Sequence, residues 1–127
     1  MIITEEQKKV LLNCTSIIMC EDRARRKNTA TSIWFKTKDE KHLLLTNAHV
    51  IDGKSTAFIY CRMIVGPKRE NDFGEIRVPL NGVCKINRKH DLGVIFLDDT
   101  INMLHHNKMD PDVSYIRESF LSGIRML

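Results

Sequence analysis

The sequence predicts a single, mainly β domain of six or seven short strands that form a barrel or a sandwich. Three observations indicate this class. Short segments are either uniformly apolar or alternate with a period of two, and turn residues such as Asn81-Gly82 separate them. Helical patterns occur only near the two ends. A length of 127 residues, with 43% hydrophobic and 28% charged residues, is typical of one globular domain and not of a disordered chain.

The first third of the chain predicts a short helix followed by three strands. Thr4 and Gln7 form a capping-box pattern that starts a helix over "EEQKKVLLN". The β-branched segment "NCTSIIMC" predicts a strand that ends at a charged loop, residues 21–28. The next strand, "TATSIWFKTK", places Ile33 and Trp34 on opposite faces. "HLLLTN" is too short and too uniformly apolar for a surface helix, so it predicts a third strand.

The rest of the chain predicts further strands and one helix. "STAFIYCRMIV" places alternate apolar residues on one face, and "GPKRENDFG" predicts a polar loop after it. "EIRVPL" and "VCKINR" predict a hairpin around Asn81-Gly82. "LGVIFL", residues 92–97, is continuously apolar and predicts a strand buried on both faces. "DDTINMLHHNK" predicts a short helix beginning at Asp99 or Thr100 and broken by Asp110-Pro111, and "VSYIRESFL" predicts a last strand.

Charge and hydropathy exclude several functional classes. The net charge of +4 is mildly basic and lacks the strong excess of a dedicated nucleic-acid binder. The basic cluster Arg23–Lys27 fits a solvated loop, with a phosphate contact as the alternative. No apolar segment approaches the roughly 20 residues of a membrane span, and no signal peptide is visible. We therefore expect a cytoplasmic protein with no nucleic-acid or membrane partner.

The four cysteines predict no metal or disulfide chemistry. Each of Cys14, Cys20, Cys61 and Cys84 lies in or beside an apolar segment, which favours a small buried hydrophobic role. A cytoplasmic location disfavours disulfides. A zinc site would need paired ligands at short spacing, and none is present. A site built from His42, His49, His90 and Cys61 would match no common ligand pattern. We therefore expect no metal and no cofactor.

Two residues at strand ends suggest catalytic chemistry. His49 closely follows the strand "HLLLTN", and Asp91 directly precedes the strand "LGVIFL". Functional residues collect at such loop-proximal positions. A carboxylate that accepts the Nδ1–H of a histidine fixes its tautomer and stabilises the imidazolium that forms when Nε2 takes a proton. Each residue alone fits an ordinary surface or turn role, so the inference depends on the pair.

The segments around both residues resemble the motifs of a known family. "LLLTNAHVI" resembles the histidine motif, and "HDLGVIFLD" the aspartate motif, of trypsin-like (chymotrypsin-fold) serine peptidases, particularly the bacterial branch. Ala30 and Ser32 stand where the family has glycines, so that match is partial. The resemblance spans roughly residues 13–100. It implies an antiparallel Greek-key barrel, half of a two-barrel fold, with His49 as general base and Asp91 as its orienting acid. It gives no role to His42, His90, His105 or His106.

The nucleophile of that family has no counterpart in this sequence. The family order is His, Asp, then a serine in a Gly-x-Ser-Gly setting. Ser114, Ser119 and Ser122 follow Asp91, and none lies in that setting. The oxyanion hole and specificity pocket of the family also come from the second barrel. The resemblance therefore implies the first barrel of a peptide-bond hydrolase, with the second barrel absent, and predicts that this chain alone is inactive.

Two other interpretations stay open. The chain could be a stand-alone, non-catalytic protein-binding module that presents the face around His49, Asp91 and Trp34 to a partner. It could also be an unrelated small β-barrel whose His and Asp match by chance, in which case it would bind polynucleotide in a salt-dependent way. The half-barrel interpretation predicts an exposed apolar face that binds a second barrel, a protein partner or another copy of the chain. A stand-alone module should instead close its exposed face with polar residues.

Overall fold

The computed structural model describes residues 4–118, and these form a mainly antiparallel β-sheet with three short helices. The elements in chain order are α1 (Glu5–Asn13), β1 (Thr15–Glu21), β2 (Lys27–Lys36), β3 (His42–Thr46), α2 (Ala48–Ile51), β4 (Thr56–Val65), β5 (Glu70–Pro79), β6 (Cys84–Asn87), β7 (Leu92–Phe96), α3 (Asp98–His106), β8 (Met109–Pro111) and β9 (Ile116–Arg117). The predicted mainly β class is confirmed. Seven strands form one continuous sheet, as expected, and the described residues add two very short strands, β8 and β9.

The strand order of the sheet is β5-β4-β1-β2-β3-β7-β6. β8 pairs antiparallel with β4, and β9 runs parallel to β2 beside Phe35 and Lys36. β5 and β6 lie at opposite ends of this order and form no ladder with each other within residues 4–118. The sheet is therefore curved around a core without closing through hydrogen bonds in the described part of the chain.

The core occupies one face of the sheet and takes alternate residues from each strand. Fully buried apolar side chains include Ile18, Trp34, Leu44, Ile59 and Ile95, which come from five different strands. Antiparallel partners project to the same face, so this alternation follows directly from the register. Cys14, Cys20 and Cys61 are also buried, as expected, and all four cysteines are free thiols.

The core contains the indole N–H of Trp34 and the hydroxyls of Ser16 and Ser32, and each of these polar groups has a hydrogen-bond partner. Its indole Nε1–H donates to Ser16 Oγ at 2.7 Å, and Ser32 Oγ–H donates to the Ser16 carbonyl at 2.9 Å. A buried polar group without a partner would cost about 1–3 kcal/mol. Ser32, which stands where the resembled family has glycine, therefore has a structural role in this chain.

The two longer helices match their predicted positions. α1 begins with the expected capping box, because Thr4 Oγ1 accepts the Gln7 N–H while Gln7 Oε1 accepts the Thr4 N–H. α3 begins at Asp98, one residue before the predicted start, and Leu97 at its N-cap makes no side-chain cap. No helix among the described residues is long and apolar enough to cross a membrane.

Three sequence predictions are wrong in detail. The polar loop "GPKRENDFG" is only a four-residue turn, because β5 already begins at Glu70 and pairs with β4 over its full length. Asn81-Gly82 turns the chain, but the strands it joins, β5 and β6, do not pair. Strand β7 is buried on one face only, since Leu92 and Phe96 are exposed. The run of apolar residues could not show that the outer face of this sheet is apolar too.

The predicted last strand is confirmed only as the two residues of β9. α3 ends at His106, before Asp110-Pro111, the pair predicted to break it, and Met109–Pro111 form β8. The remainder of "VSYIRESFLSGIRML", from Ser119 onward, lies outside the described residues.

Candidate functional site

The register between β3 and β7 brings the two predicted site residues together. β3 ends at Thr46, which pairs with Gly93 near the start of β7. The chain that follows Thr46 and the chain that precedes Gly93 therefore lie side by side at the same end of the sheet. His49 lies in α2, directly after β3, and Asp91 lies in the turn before β7.

Asp91 binds His49 through both oxygens of its carboxylate. The imidazole Nδ1 lies 2.7 Å from Oδ2, and the His49 backbone N–H donates to Oδ1 at 3.0 Å. An ionised carboxylate can only accept, so Nδ1 carries the proton and the tautomer is fixed. Nε2 of the neutral ring is then left as an acceptor. The His49 side chain is 68% exposed, so this nitrogen can be reached from solvent.

Asp91 also caps α2, which explains why His49 is held in place. The Asp91 carbonyl accepts the Ala48 N–H at 3.0 Å and the Asn47 Nδ2–H at 3.3 Å. Together with Oδ1, it satisfies the first N–H groups of a one-turn helix whose own N-cap, Asn47, makes no side-chain cap. Asp91 has a φ of +50°, a left-handed conformation that aspartate tolerates better than most residues. That conformation directs both its carbonyl and its carboxylate at α2.

These contacts keep the Asp91 carboxylate ionised. The His49 backbone N–H is the main cause that lowers the pKa of Asp91. Burial opposes it, and the His49 ring adds a further, smaller lowering. A carboxylate that stays ionised at neutral pH stabilises an imidazolium beside it. With Nδ1–H donated to Asp91, Nε2 is the ring nitrogen that can accept a proton.

The surrounding contacts fix α2 against the sheet. Gly93 has no side chain, and a Cβ there would lie 2.7 Å from Ile51 Cδ1 and 3.2 Å from the Asn47 carbonyl oxygen. Asp52, at the end of α2, receives Arg88 in a bidentate pair at 2.9 and 3.1 Å. A third contact comes from β2, where Asn28 Nδ2–H donates to the His49 carbonyl at 3.3 Å. The site thus has three supports besides Asp91 itself.

No nucleophile completes the site within residues 4–118, since no hydroxyl or thiol hydrogen-bonds the His49 ring there. Ser114 is placed elsewhere, with its N–H on the Asn13 carbonyl. Ser119 and Ser122 lie outside the described residues. Burial raises the pKa of the Cys20 and Cys61 thiols to about 11, so neither is an activated thiolate.

Two of the other histidines form pairs that sequence reasoning missed. His42 Nδ1 lies 2.9 Å from Asp98 Oδ1, which also accepts the His42 backbone N–H at 2.7 Å. His105 Nδ1 lies 2.7 Å from Asp110 Oδ1. The expectation of a surface role is wrong for His42, whose side chain is 21% exposed. Its position at the start of a strand gave no signal of a partner 56 positions away.

The remaining candidate residues are dispersed. No group of three or more His, Cys, Asp or Glu side chains that could hold a metal occurs among the residues described. Trp34 is fully buried and lies on the opposite face from solvent. It cannot belong to a presented surface with His49 and Asp91, so that part of the binding-module interpretation is wrong. The large apolar residue on this strand is needed in the core.

Comparisons of the sequence and the structure with known protein families, with curated proteins and with solved structures found no match.

Proposed function

We propose that His49 and Asp91 are the general base and orienting acid of a trypsin-like serine peptidase, and that this chain contributes its first barrel. The observation that carries the proposal is the two-point contact between them, with the ring proton held on Nδ1 and Nε2 open to solvent. The order of the two motifs in the chain and the residues around them support the same family. The open sheet of β1–β7 would correspond to a Greek-key barrel in a two-barrel fold.

The proposed chemistry assigns one task to each residue. His49 Nε2 would take the proton of a serine hydroxyl as that oxygen attacks the scissile carbonyl, and would return it to the leaving amine. Asp91 would stabilise the imidazolium between these steps without itself taking the proton. The serine and the oxyanion-hole N–H groups would come from a second barrel. Without them this pair has no acyl-enzyme chemistry to run.

An exposed apolar surface on the outer face of the sheet supports a second unit. Ile33 and the residues paired across from it, Leu45 and Val94, lie on the face opposite the core. Leu92 and Phe96 flank them and are 42% and 38% exposed. Contiguous apolar surface of this kind marks contact sites for other proteins or domains. It equally supports the alternative function, a non-catalytic binding module, and self-association.

Two measurements test the proposed function. The first is the intact mass of the native polypeptide that carries this sequence, captured from its source cells. The second is labelling of that polypeptide by a fluorophosphonate probe, with casein hydrolysis measured in parallel. We expect a mass well above 14.7 kDa, one labelled serine, and labelling that requires His49. We also expect the isolated 127-residue chain to hydrolyse no casein.

Each contrary outcome has a distinct meaning. A native mass near 14.7 kDa without labelling contradicts the peptidase proposal and favours the binding module. Casein hydrolysis by the 127-residue chain that disappears in His49→Ala contradicts the proposed need for a second barrel. If His49→Ala is labelled at an unchanged rate, the proposed role of His49 as general base is wrong.

A further inference from the structure

A basic cleft lies at the end of the sheet that carries His49, separate from the His49–Asp91 contact. Three turns line it: residues 22–26 between β1 and β2, residues 53–55 before β4, and residues 80–82 after β5. The cleft is open to solvent and has a volume of about 660 Å³. This is ample room for a small polyatomic anion.

Three cationic side chains line the cleft, and two of them make no direct ion pair, although the Asp52 carboxylate lies near enough to Lys54 for the two charges to interact. Among residues 4–118, Arg23 and Lys54 form no ion pair with any carboxylate. Arg26 does have a partner, Asp22, which it contacts through Nε at 2.8 Å. That contact orients the guanidinium and leaves its two terminal nitrogens without a partner in the described chain. The charged side chains that line the cleft, three cations and Asp22, therefore carry a net charge of +2.

The single acidic residue that lines the cleft, Asp22, offsets one of the three positive charges, and its oxygens are already occupied within the turn. Asp22 Oδ1 already accepts the N–H groups of Ala24 and Arg26, both at 2.9 Å, and its Oδ2 accepts Arg26 Nε–H. The backbone N–H of Arg26 is the main cause that lowers the pKa of Asp22. The Asp22 carboxylate therefore stabilises the turn through these hydrogen bonds. Exposed Asn81, on the opposite rim, supplies a neutral amide that can donate to an anion.

We propose that this cleft binds a phosphate group. Arginine forks match the paired oxygens of phosphate, and lysine adds a point charge to the same ligand. A dianion matches the net charge of +2 of the cleft lining better than a single carboxylate does. The phosphate could be inorganic phosphate or a small ester, or it could be carried by a phosphorylated side chain, and the experiment below distinguishes these sources.

The test is a titration of the full chain with inorganic phosphate, followed by amide NMR at constant ionic strength with chloride as the compensating anion. We expect saturable shifts confined to residues 22–26, 53–55 and 80–82. Arg23→Gln and Lys54→Gln should each weaken binding about tenfold, since each removes a charge-assisted contact. Lys38→Gln and Lys68→Gln are the matched controls, because these exposed lysines lie in turns at the opposite end of the sheet and should leave binding unchanged.

A second titration uses a short phosphoserine peptide and its unphosphorylated form. Tighter binding of the phosphopeptide than of inorganic phosphate supports the cleft as a site for phosphorylated protein. Equal binding supports a site for free phosphate or a small ester. Shifts that stay linear with phosphate concentration, or that are the same in all four variants, overturn the proposal. Well-dispersed spectra of the variants show that they are folded when compared.

Discussion

The same contact between histidine and aspartate occurs at both ends of the β3–β7 ribbon. His49 and Asp91 lie at the end where β3 stops and β7 starts, and His42 and Asp98 lie at the other end. In both pairs one aspartate accepts the backbone N–H and the ring Nδ1–H of one histidine. The two pairs differ in how they use the carboxylate and in what covers the ring.

The His42 ring is enclosed, whereas the His49 ring is open. Tyr115 packs edge-on against His42 with ring centroids 5.3 Å apart, and Lys36 lies 4.6 Å above the Tyr115 ring. One oxygen, Oδ1 of Asp98, takes both bonds there, whereas Asp91 divides them between its two oxygens. The exposed fractions of the two histidine side chains are 21% and 68%.

The comparison shows that a His–Asp contact alone does not define a base. Both aspartates would fix the histidine tautomer, but the His49 side chain is far more exposed than that of His42 and is the one more open to a reacting group. The His42 pair instead ties the start of β3 to the start of α3. We therefore assign a structural role to the enclosed pair and a chemical role to the open one.

The largest expected effect is the loss of activity when the His49 ring is removed from the native polypeptide, compared with removal of the His42 ring. If the proposed function holds, His49→Ala should lower fluorophosphonate labelling and peptide hydrolysis about 10²- to 10⁴-fold, because it removes the proposed general base. His42→Ala, the matched control, should change activity only through stability. The rates are to be compared on samples with equal folded fractions. Equal losses in the two variants would contradict the distinction between the pairs.

A second substitution disturbs one pair without touching the other. Gly93→Ala places a Cβ against Ile51 Cδ1 and the Asn47 carbonyl, so the Ile51 side chain and the backbone at the start of α2 must shift. We expect a loss of about 1–3 kcal/mol in the free energy of unfolding. We also expect a weakened His49 Nδ1–H signal in proton NMR, with the His42 signal unchanged.

The double variant Gly93→Ala/Ile51→Val is the control for this interpretation. Removing Ile51 Cδ1 relieves the closest contact, so the double variant should lose less stability than the sum of the two single losses. Strict additivity would show that the Cβ of residue 93 does not act through Ile51.

Local signals in the sequence predicted local structure well. The capping box at Thr4 fixed the start of α1, and alternating apolar residues identified the buried face of β4. The site was predictable because two motifs carry it, although their contact depends on the β3–β7 register. The structure, not the sequence, shows that Asp91 also caps α2.

Other parts of the structure could not be predicted because they depend on distant contacts. α2 has four residues, too few for helical periodicity, and its cap comes from Asp91 rather than from its own segment. The His42–Asp98 pair joins residues 56 positions apart with no motif around them. The apolar run of β7 predicted burial on both faces, and only the neighbouring strands show that one face is exposed.

A third prediction measures the structural role assigned to the enclosed pair. Asp98→Ala leaves the His42 N–H and Nδ1–H without their acceptor, and we expect a loss of about 1–2 kcal/mol in unfolding free energy. Asp99→Ala is the matched control, because Asp99 is exposed in the same first turn of α3 and shares any effect of the helix dipole. Urea unfolding of both variants gives the difference. Similar losses would mean that the His42 contact contributes little.

The smallest expected effects are changes in the pKa values of Asp91 and Asp98. They distinguish the two pairs because different contacts lower each pKa. Both aspartates have a pKa below the ordinary value, so both contribute stability that is present above about pH 4 and lost as the pH falls. For Asp91 the main cause is the His49 backbone N–H, which His49→Ala keeps. For Asp98 burial is the largest influence and raises the pKa, and the His42 N–H and ring together outweigh it.

Carboxyl NMR titrations of the two alanine variants should therefore diverge. In His49→Ala the pKa of Asp91 should stay below the ordinary aspartate value, because the backbone donor is still in place. In His42→Ala only one donor opposes burial, so the pKa of Asp98 should rise clearly from its wild-type position. The contrary outcome is an Asp91 pKa at the ordinary aspartate value in His49→Ala. It would show that the His49 ring, and not the His49 backbone N–H, lowers the pKa of Asp91. Asp91 would then orient the ring without depending on the start of α2, and the two ends of the ribbon would be more alike than the geometry indicates.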